Sequence, residues 1–258
     1  MINTPPDGGL PDPQRTGGPG WLVTTGGKLT WGQRATMFGQ SMATQGHLVS
    51  QQVRRRRATS IDLGPVATLP DSRLVREAEE AALCQSPALL AHGYRTAVFA
   101  RALALVDGIE VDHELLVVAA LLHDAGLVPT VTGEDFTLRS AAVATGAAVR
   151  AEREDACAPL HDAICVHTTI GITPGRDGAI GAYTQYGAMV DLVGLRERHL
   201  PHDLVARTLA EHPRQGFVRE IIPALHAEAR AVRGGRFAFL RCVGFGPAVR
   251  MASLPSRP

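Results

Sequence analysis

The stretch Leu115-Leu116-Val117-Val118-Ala119-Ala120-Leu121-Leu122-His123-Asp124 decides how this chain folds. Asp112 precedes the apolar run at the position where a carboxylate accepts from the first unpaired N–H groups of a helix, and Gly126 and Pro129 close the segment. A helix that is apolar on every side has no face left for water, so it must be surrounded by other helices. The flanking sequence supplies them. One helix is expected from Asp71 or Ser72 through Cys84, with Leu74, Ala78, Ala81 and Ala82 on one face, and a second from Ser86 to Val106, with Pro87 in its first turn and Gly108 just past its end. Further helical spacing covers Leu138–Ala151, Ala156–Thr169, Ile180–Leu195, His202–Glu211 and Phe217–Val232. Arg236–Val243 is the one place where a strand competes. The expected fold is all-α, a helical bundle over residues 69–240.

Around that bundle the composition changes. Residues 1–20 are dominated by Pro, Gly and polar types that bury too little apolar surface to offset their ordering entropy, so they read as a disordered tail. Residues 21–68 read as an extension of mixed pattern, with a weak helix over 31–53 that ends in Arg54-Arg55-Arg56-Arg57, taken as a solvated basic turn. Residues 241–258 read as a C-terminal tail. At 258 residues the chain supports one good-sized core. Lys+Arg 26 against Asp+Glu 25 leaves no global field for nucleic acid or an anionic membrane, and neither is expected as a partner. The four scattered cysteines show no C-x-x-C and no stretch approaches a membrane span, which fits a soluble cytoplasmic protein. Oligomeric state stays open.

Four polar residues interrupt apolar faces. His123-Asp124 ends the central apolar run, and two costly polar groups at the mouth of a buried helix need a partner. Adjacent helical residues diverge by about 100°, which lets an imidazole and a carboxylate embrace a cation. His92 continues through Thr96, Phe99, Ala100 and Leu103 toward the core. Asp191 emerges from the stripe Tyr183, Gly187, Val190 and Gly194, and a lone buried aspartate is rarely tolerated. His92, His123, Asp124 and Asp191 are therefore the candidate metal ligands. Their nitrogen and oxygen atoms suit one divalent ion, zinc first, with iron and manganese as alternatives. Asp124 also enters the catalytic set, because a metal lowers the pKa of water.

Two look-alike pairs fail the same test. His202-Asp203 opens a helix, where Asp203 serves the helix dipole, and His161-Asp162 lies on an amphipathic helix with Asp162 toward solvent. His167 shares a face with Leu160, Ala163 and Ile164, equally consistent with a core histidine and with one that points into the cavity.

Read in order, His92, His123-Asp124 and Asp191 resemble the signature of the HD superfamily of metal-dependent hydrolases. Ser86-Pro87-Ala88-Leu89-Leu90, Ala119–Leu127, His167-Thr168-Thr169-Ile170-Gly171-Ile172, Gly187–Gly194 and Pro213-Arg214-Gln215-Gly216-Phe217 are similar to its cyanamide hydratase-like branch, the urea hydro-lyases. The resemblance spans roughly Leu69 to Ala231. It implies an HD domain whose metal-activated water attacks a small substrate such as a nitrile or cyanamide, with His167 beside the metal as a proton-moving residue. The chain departs from that branch at Asp135-Phe136-Thr137-Leu138-Arg139-Ser140-Ala141, where two acids are replaced, a change that touches the substrate and spares the ligands. The alternative reading is an HD phosphohydrolase acting on a nucleotide or phosphate ester, for which Arg95 and Arg139 would be the phosphate clamp. A third is a non-catalytic regulatory module with a structural ion. A second metal on His161 and His167 is disfavoured, since six residues on a helix set them about 120° apart.

Overall fold

The computed structural model describes residues 15–40, 66, 68–252 and 254. Among these the regular structure is entirely helical, and an isolated bridge between Lys28 and Gly235 is the nearest approach to a strand. The helices are α1 (Pro19–Thr25), α2 (helical over 31–40), α3 (Arg73–Ala82), α4 (Pro87–Asp107), α5 (His113–Leu122), α6 (Phe136–Arg150), α7 (Cys157–Val166), α8 (Pro174–Asp177), α9 (Ala179–Val193), α10 (His202–Glu211), α11 (Phe217–Ala231), α12 (Arg236–Cys242) and α13 (Phe245–Arg250). None of the described helices is long and apolar enough to cross a membrane.

The central run behaves as its composition demands. Asp112 accepts from Leu115 N–H at 3.0 Å to cap α5, and every residue from Leu115 to Leu122 is buried. Each fully buried Leu or Val there contributes roughly 1.5–3 kcal/mol, so the helix is anchored by its packing far more than by its own propensity. α4 is capped by Ser86 and closed by Gly108 in a left-handed conformation. It packs against α5 on one side and against α9 on the other. Gly187 makes the second contact close: a Cβ there would lie 2.4 Å from the Thr96 carbonyl oxygen of α4. That approach brings Asp191, one turn further along α9, within reach of α4 side chains.

Outside the bundle the structure departs from the sequence expectations in two places. Residues 15–20, assigned by composition to a tail, are held: Arg15 pairs with buried Asp177 at 3.0 Å, and α1 begins at Pro19. Trp21 and Leu22 then join the main core, and the Arg236 guanidinium lies 5.9 Å from the centre of the Trp21 ring. A few large side chains thus offset the ordering of a segment whose average composition is poor. Residues 1–14, the stretch 41–53 of the weak helix expected over 31–53 and Arg54–Arg57 lie outside the described residues. Second, Arg236–Val243 is not a strand. It forms α12, and with α13 it reaches into what was read as a C-terminal tail; Phe237 and Leu240 of α12 and Phe245 of α13 close one wall of the main cavity.

Candidate metal centre

α4, α5 and the turn after α7 deliver three histidines to one place. The His92 and His123 rings lie 5.1 Å apart, and the His123 and His167 rings 5.0 Å apart. All three are buried, at 0, 2 and 4% exposure. Each ring is oriented through Nδ1. His123 Nδ1 lies 2.7 Å from the Ala120 carbonyl oxygen, and His167 Nδ1 lies 2.6 Å from that of Ile164. His92 Nδ1 lies 2.6 Å from Asp191 Oδ2. Carbonyl and carboxylate oxygens can only accept, so Nδ1 carries the proton in each ring and Nε2 presents a lone pair.

Those lone pairs meet a carboxylate. Asp124 Oδ2 is 3.4 Å from His123 Nε2 and 3.8 Å from His92 Nε2, and His92 Nε2 is buried with no hydrogen-bond partner. Acceptors converging without a donor between them call for a cation. Two donors on one ion at about 2.1 Å each stand roughly 3–4 Å apart, so these separations fit a shared divalent metal. Among the described residues, His92, His123 and Asp124 are the set whose ligand atoms all lie within 4.8 Å of one another. Burial opposes charge on Asp124, yet His123, His92 and His167 around it hold its carboxyl well below the usual range. Burial likewise opposes charge on His123, but the Asp124 carboxylate beside it raises its pKa above the ordinary imidazole value. Burial, and then His123, push His167 down to about 3, so that ring stays neutral.

Asp191, read from the sequence as a fourth ligand, is placed one step behind this set. Its Oδ2 accepts from His92 Nδ1 and, at 2.8 Å, from Arg95 Nη2; its Oδ1 accepts from Arg95 Nε at 2.8 Å and faces Arg214 Nε at 3.0 Å. Three of these contacts are hydrogen bonds and the fourth, to Arg214 Nε, is an ion pair. Burial opposes its charge, but His92 and Arg95 hold its pKa well below the ordinary value. The Arg214 side chain also donates to the Asp191 backbone carbonyl at 2.7 Å. Phe217 fills the space beneath, stacked on His92 at 4.7 Å, with the Arg95 and Arg214 guanidiniums 5.1 and 5.4 Å from its ring centre. The run Pro213–Phe217 is thus the back wall of the site. Sequence reasoning quoted that run without giving Arg214 or Phe217 a role. The available signal was Arg95: a cation one helical turn after His92 on a largely apolar helix, as much in need of a counter-charge as Asp191 on its own apolar stripe.

Residues 89–139 match the HD domain family model. The match supports membership of the HD superfamily. No curated protein matches the chain. The HD segment carries His92, His123 and Asp124, whereas His167, Asp191 and Arg214 come from later helices and turns.

The open side of this site faces a cavity of about 710 Å³ that His123, Asp124 and His167 line. Its walls come from α9, the loop after α7, α11 and the α12–α13 hairpin, chiefly through Leu, Ile, Val and Phe. Gln185 reaches from α9 to donate to the His167 and Thr169 carbonyls at 2.5 and 2.8 Å, which fixes the turn carrying His167. The look-alike pairs stay outside. His161 and Asp162 are about one-third and two-fifths exposed and face each other at 3.7 Å, and Asp203 pairs with Arg207 on the surface of α10.

Proposed function

We propose that this protein is a metal-dependent hydrolase or hydro-lyase of the HD type that adds water to an electrophilic carbon of an uncharged small molecule, nitriles being the first class to try. The observation that carries the proposal is the convergence of two Nε2 lone pairs and an ionised carboxylate on one point, with His92 Nε2 otherwise unpartnered, at the floor of an apolar cavity. A divalent ion there, zinc first and iron or manganese as alternatives, would supply Lewis acidity, lowering the pKa of a water and polarising the electrophile.

The chain's own residues do the rest. Asp191, clamped by Arg95 and Arg214, keeps the His92 proton on Nδ1 and its lone pair inward, the support that a carboxylate behind a ligating histidine gives. Asp124 contributes the negative charge. His167 holds a neutral ring whose Nε2 can take a proton from water and return it to the nitrogen of the product. The apolar walls exclude bulk water and strengthen every charge interaction inside.

Phosphate esters are the weaker reading. Arg95 spends its donors on Asp191 and on the His212 and Pro213 carbonyls, while Arg139 spends its own on Gly126, Glu134 and Glu228. Neither lines the cavity. A purely structural ion is also the weaker reading, since closed structural sites surround the ion with four protein ligands. Metal analysis of the purified protein, then turnover of cyanamide, acetonitrile, benzonitrile and p-nitrophenyl phosphate with and without chelator, tests the proposal. Chelator-sensitive hydration of a nitrile is the expected result. Hydrolysis of the phosphate ester alone, or full metal occupancy without turnover of any of them, would overturn it.

A further inference from the structure

The cavity is far larger than a cyanamide-sized substrate needs. At about 710 Å³ it lies in the range that holds drug-sized molecules, and water at about 30 Å³ per molecule would fill it more than twenty times over. It is also long. The α9 residues that line it run from Gln185 to Val193, about 12 Å along the helix axis, and Asp107 at the end of α4 lines it as well. The wall is mostly apolar, with Ile172, Met189, Leu192, Val193, Leu225 and Phe237 facing it.

The far end is charged, but its charge is cancelled. Arg196 Nη1 and Nη2 donate to the two carboxylate oxygens of Asp107 at 3.0 and 2.6 Å, and its Nε donates to His199 Nδ1 at 3.3 Å. The guanidinium lies 5.4 Å from the centre of the Tyr186 ring, and Tyr183 OH donates to Asp107 at 2.8 Å. Arg196 adopts φ 65°, a left-handed backbone that costs a non-glycine residue energy and is held here by these contacts. Asp107 and Arg196 are 30 and 16% exposed, so the pair sits where the cavity meets solvent. Among the described residues it is the cavity's one arginine, and a bidentate carboxylate already neutralises it.

We propose that the cavity selects an elongated, uncharged substrate with an apolar body, its reactive group at the His123–Asp124–His167 end and its tail against Asp107–Arg196, which acts as a specificity pair excluding anionic tails. This rests on the hydrolase reading for what happens at the reactive end; the selection by length and charge can be read by binding alone. Arg196 has N–H donors beyond the three already used, so a hydroxyl, ether or carbonyl oxygen at the tail is accepted. A carboxylate or phosphate there meets Asp107 as well as Arg196 and gains no net attraction.

Calorimetric titration of the purified protein with acetonitrile, hexanenitrile, decanenitrile, decyl phosphate and 9-cyanononanoate, which is a long nitrile with a carboxylate tail, tests this without turnover. Affinity should rise with chain length by up to about fourfold per methylene, and both anions should bind at least about tenfold more weakly than decanenitrile. Asp107→Asn, which retains an oxygen for Tyr183, should tighten 9-cyanononanoate about tenfold and leave decanenitrile unchanged. Met189→Trp, which fills the middle of the cavity, should weaken decanenitrile more than hexanenitrile. Equal binding of short and long nitriles, tighter binding of decyl phosphate, or an Asp107→Asn protein that is folded by circular dichroism yet unchanged toward 9-cyanononanoate would overturn the proposal. Chain-length selectivity without chelator-sensitive turnover would sink the hydrolase reading and leave this one standing.

Discussion

Asp124 and Asp191 are both buried, both ionised and both in contact with His92, yet they are built for opposite purposes. Asp191 takes three hydrogen bonds from His92 and Arg95 and an ion pair with Arg214, in a site with no opening. Asp124 faces the cavity with two histidine lone pairs and no donor between them. The first arrangement is complete and gives rigidity. The second is incomplete, and an incomplete set of acceptors is what a cation can finish. On the proposed reading the ion takes the place where hydrogen-bonding capacity is left over, next to a carboxylate held by two guanidiniums.

Breaking the two carboxylates separately should expose that difference. Asp124→Ala should abolish metal retention and lower chelator-sensitive turnover by on the order of 10³-fold or more, with the thermal midpoint of the apo-protein nearly unchanged; metal analysis and a melting curve check this. Asp191→Asn should do the reverse. It leaves Arg95 and Arg214 buried without their counter-charge, so roughly 3–5 kcal/mol of stability is lost in denaturant titration, while metal affinity falls only about 10–100-fold. Equal stability losses in the two variants would erase the distinction.

A third buried carboxylate sharpens it further. Glu228 of α11 accepts the Phe136 N–H that starts α6 and meets Arg139 at 3.4 Å, but burial, reinforced by Asp135 nearby, pushes it up to about 7. An acid whose folded pKa exceeds its unfolded value of about 4.5 stabilises the fold fully below that value and loses its contribution as pH rises through about 7. Stability should therefore fall by on the order of 2–3 kcal/mol between pH 5 and pH 8, and Glu228→Gln should flatten the slope. The smallest effect is expected at the surface look-alike. His161→Ala should leave metal content unchanged and stability within about 0.5 kcal/mol.

The fold was legible because its signals are local. Ser86, Gly108 and Asp112 punctuate α4 and α5, and the apolar run 115–122 can be satisfied only at the centre of a bundle. His92 and His123-Asp124 were legible for the same reason, as polar residues on faces that neighbouring residues mark as buried. What the sequence hid is pairing between distant residues. Arg95 and Asp191 are 96 positions apart, and Arg236 and Asp135 are 101, so each appeared as an isolated charge. Asp135, which marked a departure from the resembling branch, is in fact the cap of α6 and the partner of Arg236. Nothing in spacing distinguishes a carboxylate that will bind metal from one that will bind two guanidiniums. The α12–α13 wall was missed because two helices of seven and six residues are too short to display a period.

The most direct test is a crystal structure of the protein grown with zinc, with the ion located by anomalous scattering. The account predicts an ion within about 2.0–2.2 Å of His92 Nε2, His123 Nε2 and an Asp124 oxygen, with Asp191 still bonded to His92 Nδ1 and Arg95. An Asp191 oxygen within bonding distance of the ion, with Arg95 displaced, would contradict it.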